Sequence, residues 1–207
     1  MALIPQRIIF ENIVPSEILS KEKVLEMKND SNMPKRLART TIYESGHVCL
    51  YSDRVALPSG QIIENYYQIH YPRKAVAVVI FDKNDNILLI QNRRYTVGRL
   101  EWEIPAGRIE DGESNEAAAK REAIEEAGCE LTDLQYLCSY NPSNGMSDSL
   151  VHCFAARVSS EGEFTDFDEI NDKKWFSKQE YTKLLESNDT MDGVTILAIL
   201  YALQFYK

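Results

Sequence analysis

The sequence predicts an α/β sandwich, with a mixed sheet between helices and a small antiparallel sheet ahead of it. Three observations carry this. Lys74 to Phe81 (KAVAVVIF) is an uninterrupted apolar run of strand length, as expected for a strand covered on both faces. Upstream, from Thr40 to Ile69, the pattern has a period of two, the mark of half-buried antiparallel strands. Downstream, an Ala-rich stretch after Ser114 and an apolar stretch from Val194 to Phe205 have the composition of helices.

Taken in order, residues 1–40 say least: Ser20-Lys21-Glu22-Lys23 begins a short polar helical pattern through Met27, and Asn29 to Pro34 reads as a loop. Val48, Leu50, Val55 and Leu57 alternate with polar residues, Pro58-Ser59-Gly60 supplies a turn, and Ile62 to Ile69 resumes as strand. This unit defines an N-terminal region, 1–73, ahead of a main domain, 74–207. In the main domain Asp82 to Asn86 is a polar turn, and Ile87 to Ile90 returns as the hairpin partner of the apolar run. Glu101 to Ile104 is a short strand stopped by Pro105-Ala106-Gly107. Ser114 is a natural N-cap and Gly128 a natural stop for the helix between them. Leu134 to Tyr140 and Leu150 to Val158 read as strands around the loop Asn141 to Asp148, and Lys174-Trp175-Phe176 as a last strand. Ser177-Lys178-Gln179-Glu180 is a capping box for a helix through Leu185. Val194 to Phe205 is too short to span a bilayer and reads as core.

A chain of 207 residues, 44% hydrophobic, can bury a substantial core. A net charge of −9 argues against partners that are nucleic acid or membrane surface. It leaves room for a small anionic substrate if cations and a few arginines supply the local positive field. Cys49, Cys129, Cys138 and Cys153 lack metal-binding spacing, and with no leader or long apolar segment evident they are expected as buried free thiols in a reducing, cytoplasmic setting.

The stretch Gly107 to Cys129 (GRIEDGESNEAAAKREAIEEAGC) carries the chemistry. Glu122, Glu125 and Glu126, at i, i+3 and i+4, fall on one helix face, where like charges cost roughly 0.2–0.5 kcal/mol per pair. They also crowd the last turn, whose dipole disfavours carboxylates. Local energetics oppose the arrangement twice, and a hard divalent cation with oxygen ligands reverses both penalties. A solvated acidic face is the ordinary reading of three glutamates alone.

The full spacing argues otherwise: Gly107, five residues, Glu113, seven residues, Arg121-Glu122, two residues, Glu125-Glu126, one residue, Gly128. This resembles the Nudix box in every glycine and charged position, with the small Ala123 and Cys129 at its two aliphatic positions. The resemblance, which covers residues 74–207, implies a Nudix-type fold and a Mg²⁺-dependent hydrolase, with Mn²⁺ as a substitute. It implies Glu122 and Glu126 as principal metal ligands, with Glu125 and the Ala106 carbonyl completing the set. Arg121, four residues before Glu125, is placed to hold the cluster in register. Glu113 is implied as a positioning group or ligand, and the general base is left open between Asp148 and Glu126.

Substrate class rests on the flanks. Trp102 to Gly107 (WEIPAG) resembles the ADP-ribose and nucleotide-sugar pyrophosphatase branch, and in Gln91-Asn92-Arg93-Arg94-Tyr95 the best match to its phosphate-binding arginine is Arg94. Glu103 is a candidate acceptor for a sugar or base, and Trp102 or Tyr95 for stacking. The loop from Pro142 through Ser143 to Asp148 resembles that branch's downstream loop, but Asn144 stands where a proline is usual and Asp148 where a glutamate is. Asp192-Gly193-Val194-Thr195 resembles its D-x-x-T before the last helix. The expected substrate is a nucleoside diphosphate sugar, split into a nucleoside monophosphate and a sugar phosphate. The resemblance also offers the N-terminal sheet as a homodimer surface and part of the substrate site. A ligand-sensing Nudix module and a dinucleoside-polyphosphate enzyme are the alternatives, the first usually lacking a box glutamate and the second disfavoured by WEIPAG.

Overall fold

The computed structural model describes residues 32–187 and 192–206. The short helical pattern from Ser20 to Met27 lies outside them. The described residues divide into two compact units, one of residues 32–39 and 53–66, the other of residues 40–52, 67–187 and 192–206.

The N-terminal strands β1 (Lys35–Glu44), β2 (Cys49–Ala56) and β3 (Ile62–His70) form the small antiparallel sheet in the order β1-β2-β3. The period of two holds in β2, but the buried residues are Cys49, Tyr51, Asp53 and Val55 rather than Val48 and Leu50. Asp53 tolerates burial because Arg39 grips both its oxygens at 2.8 and 2.7 Å, which holds its carboxyl below the ordinary value. The turn after β2 closes through Gly60, whose φ of 88° only glycine adopts cheaply and whose N–H reaches the Leu57 carbonyl.

The main sheet runs β10-β5-β4-β9-β8, with β6 on β5 and β7 on β4. Its strands are β4 (Ala75–Phe81), β5 (Ile87–Arg94), β6 (Arg99–Glu103), β7 (Ala106–Arg108), β8 (Cys129–Tyr140), β9 (Val151–Glu161) and β10 (Ile170–Phe176). β4 pairs parallel with β9 from Ala75↔Val151 to Phe81↔Arg157, and the other ladders are antiparallel, so the sheet is mixed. The apolar run is central and covered on both faces, as its lack of alternation requires. Val76, Val78 and Ile80 pack towards Ala118, Ala119, Ala123 and Ala127 of α1 (Asn115–Ala127). Ala77, Val79 and Phe81 point the other way, into a cluster with Tyr181 of α2 (Lys178–Ser187) and Ala198, Ile199 and Ala202 of α3 (Gly193–Phe205). Each such valine or isoleucine contributes about 1.5–3 kcal/mol by leaving water.

The caps form as the sequence requires. Ser114 accepts the Ala117 N–H, and Gly128 ends α1 at φ 66° with its N–H on the Ala123 and Ile124 carbonyls. The capping box of α2 closes both ways: Ser177 N–H donates to Glu180, and Glu180 N–H to the Ser177 hydroxyl. Only one stripe of α3 (Thr195, Ala198, Ile199, Ala202) is buried, and Leu200 and Leu203 face outward. No described helix is long and apolar enough to cross a membrane, and the four cysteines are free.

Candidate active site

The site is built where α1 meets the short strands β6 and β7. The inward stripe of α1 is Ala118, Ala119, Glu122, Ala123, Glu126 and Ala127. Alanines let the helix lie close on the sheet, and the same stripe carries two carboxylates inward, Glu122 8% exposed and Glu126 5% exposed. Glu125 lies at the edge and is exposed. The three glutamates thus divide into two buried groups and one at the rim.

Gly107 makes room for the first of them: a Cβ there would stand 2.0 Å from the Glu122 Oε1. No side chain fits without displacing that carboxylate. Ala106 faces the second, donating its N–H to the Glu126 Oε2 at 2.8 Å. Strand β7 is held for this by pairing with β4, Ala77 opposite Ala106 and Val76 opposite Gly107.

Arg121 is the hub. Its Nε and Nη2 each reach Glu113 at 3.0 Å, Nη1 donates to Glu122 at 2.7 Å and Glu125 at 2.9 Å, and Nη2 also reaches the Arg108 carbonyl at 2.9 Å. The pairing expected with Glu125 is therefore one of four. Arg121 holds the Glu113 carboxyl below its ordinary value. Burial acts oppositely on the inward pair: it raises Glu122 despite Arg121, and pushes Glu126 up to about 8, with the Ala106 N–H too weak to compensate and Glu122 adding repulsion.

Three carboxylates meet one guanidinium and Glu126 lies buried beside them, so the cluster has excess negative charge and a surplus of hard oxygen donors, which suits a divalent cation. Among the described residues no group of three or more His, Cys, Asp or Glu side chains is arranged to hold a metal ion. The reason is local: Glu122 and Glu125 turn to Arg121, and Glu126 turns to the Ala106 N–H.

The flanking candidates divide. Arg94 is locked to Glu103, Nε to Oε1 at 2.8 Å and Nη2 to Oε2 at 2.5 Å, and its Nη1 lies 3.6 Å from Glu169. Glu126 lies within its electrostatic reach. Glu103 also accepts from Asn92 at 2.9 Å, so most of its acceptor capacity is already used. Trp102 packs edge-on against Phe176, centroids 5.0 Å apart, and serves the core. Tyr95 stands out in solvent. Ser143 lies in an exposed turn, its carbonyl receiving Met146 and Ser147. Asp148 makes its bonds outside the Arg121 hub: Oδ2 lies 2.5 Å from His70 Nδ1, and Oδ1 accepts the Tyr71 N–H at 3.0 Å. His70 carries no motif and was invisible to spacing, and Glu169 likewise. The D-x-x-T pattern resolves into a relay, Ile104 N–H to the Thr195 hydroxyl and that hydroxyl to Asp192, which ties the head of α3 to the WEIPAG strand.

The chain that carries this buried-glutamate helix is a hydrolase of phosphoric anhydride bonds, as its likeness to known proteins shows. The NUDIX domain model matches residues 71–196, and the chain belongs to the Nudix family. An ADP-ribose pyrophosphatase of Bacillus subtilis (strain 168) is 32% identical over 170 residues, 81% of this chain and 91% of the relative. A CMP-5'-(N-acetyl-N-hydroxy-3-aminopropyl)phosphonate hydrolase of Streptomyces rubellomurinus is 29% identical over 163 residues, 78% of each chain. Among solved structures, one described as an ADP compounds hydrolase superposes with a TM-score of 0.74 over 83% of this chain and 93% of its own. At 22% identity that likeness speaks for the fold.

Proposed function

We propose that this enzyme hydrolyses the pyrophosphate bond of a nucleoside diphosphate sugar of the ADP-ribose type, releasing a nucleoside monophosphate and a sugar phosphate, in a Mg²⁺-dependent reaction. The observation that carries the reading is the pair of buried carboxylates on α1, Glu122 and Glu126, facing the Gly107 backbone that makes room for one and the Ala106 N–H that meets the other.

Glu122, Glu126, Glu125 and the Ala106 carbonyl are the groups that would hold Mg²⁺ or Mn²⁺. Bound there, the cation would neutralise phosphate charge and acidify a water. The chain's own part is positional. Arg121 keeps Glu113, Glu122 and Glu125 at fixed separation, and the latter two are the groups that would turn from it to a cation. Glu126, whose burial favours the protonated state, would have to be ionised to serve as a ligand. Arg94, anchored on Glu103 and within electrostatic reach of Glu126, offers its remaining N–H groups to phosphate oxygens. Asp148, backed by His70, is the candidate base outside the cluster. The enzyme works as a homodimer: β1 and β3 expose Leu37, Ile42, Tyr43, Ile62 and Tyr67, an apolar and aromatic set suited to an interface.

The test is turnover over ADP-ribose, ADP-glucose, GDP-mannose and a dinucleoside polyphosphate with Mg²⁺, Mn²⁺ or EDTA. Cleavage of sugar conjugates only with a cation supports the reading; cleavage confined to the polyphosphate refutes it.

A further inference from the structure

On β6, two residues before Glu103 and on the same face, Glu101 is 4% exposed. Arg99 places two nitrogens on its Oε1, while its Oε2 is buried with no hydrogen-bond partner. Asn92, directly opposite on β5, has a buried amide oxygen in the same condition. Two acceptors on facing residues without a donor are a costly pair to leave unmet. Glu101 lines a cavity of about 330 Å³ with Arg94, Thr96, Val97, Arg99 and Asp192, so the cavity shares Arg94 with the candidate active site.

The geometry points to Glu101 as a specificity residue that accepts hydrogen bonds from sugar hydroxyls of the substrate, a reading that rests on the proposed function. What is missing at the site is a hydrogen-bond donor. The wall sets Arg94 and Arg99 beside the carboxylates Glu101, Glu103 and Asp192, so a matching group both donates and accepts. Val97 is the one apolar side chain in the lining, which holds no ring on which a base would stack. Hydroxyls meet both requirements, since they donate to Glu101 and accept from the spare N–H groups of Arg94 and Arg99. Arg99 is half exposed, and it is the part of the wall free to swing aside and open the carboxylate.

The experiment compares wild type with Glu101→Gln on ADP-ribose, on analogues deoxygenated singly in the nucleoside ribose or in the distal sugar, and on an ADP alkyl ester that keeps the pyrophosphate but has no distal sugar. Wild type should lose roughly ten- to hundredfold in kcat/KM, chiefly through KM, when the recognised hydroxyl is removed. Glu101→Gln should show that loss on the parent substrate and little further loss on that one analogue. The series that carries the effect tells nucleoside ribose from distal sugar, and loss confined to the distal series should leave the alkyl ester equally poor for both proteins. If Glu101→Gln keeps the wild-type KM and melts higher, its amide has filled the Asn92 gap internally and the proposal is overturned. An equal fall in kcat on every substrate, alkyl ester included, also overturns it, making Glu101 a mere anchor for Arg99. Turnover of ADP-ribose by wild type in either case leaves the proposed function standing, whereas no turnover of any sugar conjugate removes both.

Discussion

Glu126→Gln separates what the fold wants from what the site wants. Burial pushes the Glu126 carboxyl up to about 8, from an ordinary 4.5. Because the folded value is raised, the ionised form is disfavoured in the native state, and the protein loses stability as pH rises from 4.5 towards 8. At pH 7 the interval above the ordinary value is 2.5 pH units, and at about 1.4 kcal/mol each that is a cost of about 3 kcal/mol. Glutamine keeps the shape and an oxygen for the Ala106 N–H, and it has no charge to desolvate. The variant should therefore melt roughly 6–12 °C higher in EDTA at pH 7, using 2–4 °C per kcal/mol for a chain of this size. Local repulsion and the helix dipole alone would predict only about 0.5–1.5 kcal/mol, so the size of the gain reports burial. The gain should vanish near pH 4.5 and grow by about 1.4 kcal/mol per pH unit up to pH 8. Turnover should fall steeply, and the rise in melting temperature on adding Mg²⁺ should shrink. The assay is a set of melts from pH 4.5 to 8, with EDTA and with Mg²⁺, alongside turnover. A pH-independent difference, a destabilised variant, or retained turnover would refute the reasoning.

Other outcomes follow from the same geometry. Gly107→Ala should displace the Glu122 carboxylate, whose Oε1 lies 2.0 Å from the new methyl, and lower kcat by roughly a hundredfold or more while the sheet persists, as read by turnover and far-ultraviolet circular dichroism. Arg121→Ala leaves Glu113, Glu122 and Glu125 without their shared partner and should cost about 2–4 kcal/mol by urea melts in EDTA, a loss that added Mg²⁺ partly offsets. EDTA should abolish activity and Mg²⁺ or Mn²⁺ restore it; turnover indifferent to EDTA would remove the cation from the scheme. Light scattering at micromolar concentration should give twice the 23.7 kDa chain mass; a strictly monomeric mass would contradict the interface role of β1 and β3.

The parts of this protein legible in its sequence are those governed by local rules. The central strand, the N-cap Ser114, the αL stop at Gly128 and the capping box of α2 each depend on a few neighbouring residues. The box glutamates were legible because their spacing opposes helix energetics. Non-local partners were not. Period two in β2 was visible but its phase was not, because Asp53 is buried only by virtue of Arg39 on the neighbouring strand. Arg121 was expected to serve Glu125; that it also binds Glu113, eight residues away, depends on the path of the loop before α1. The pairing of His70 with Asp148 spans 78 positions and leaves no periodic trace. Glu101 read as one more polar residue of a short strand, and only the structure reveals its unmet oxygen.

The central claim, that the buried glutamates of α1 direct water to a pyrophosphate bond, is tested most directly by product analysis. ADP-ribose is incubated with Mg²⁺ and either wild type or Glu122→Gln, and the products are resolved and counted. Wild type should yield AMP and ribose 5-phosphate in equal amounts, without inorganic phosphate, and Glu122→Gln should reduce both together by orders of magnitude. Release of ADP with free ribose, or undiminished AMP from Glu122→Gln, would contradict the account.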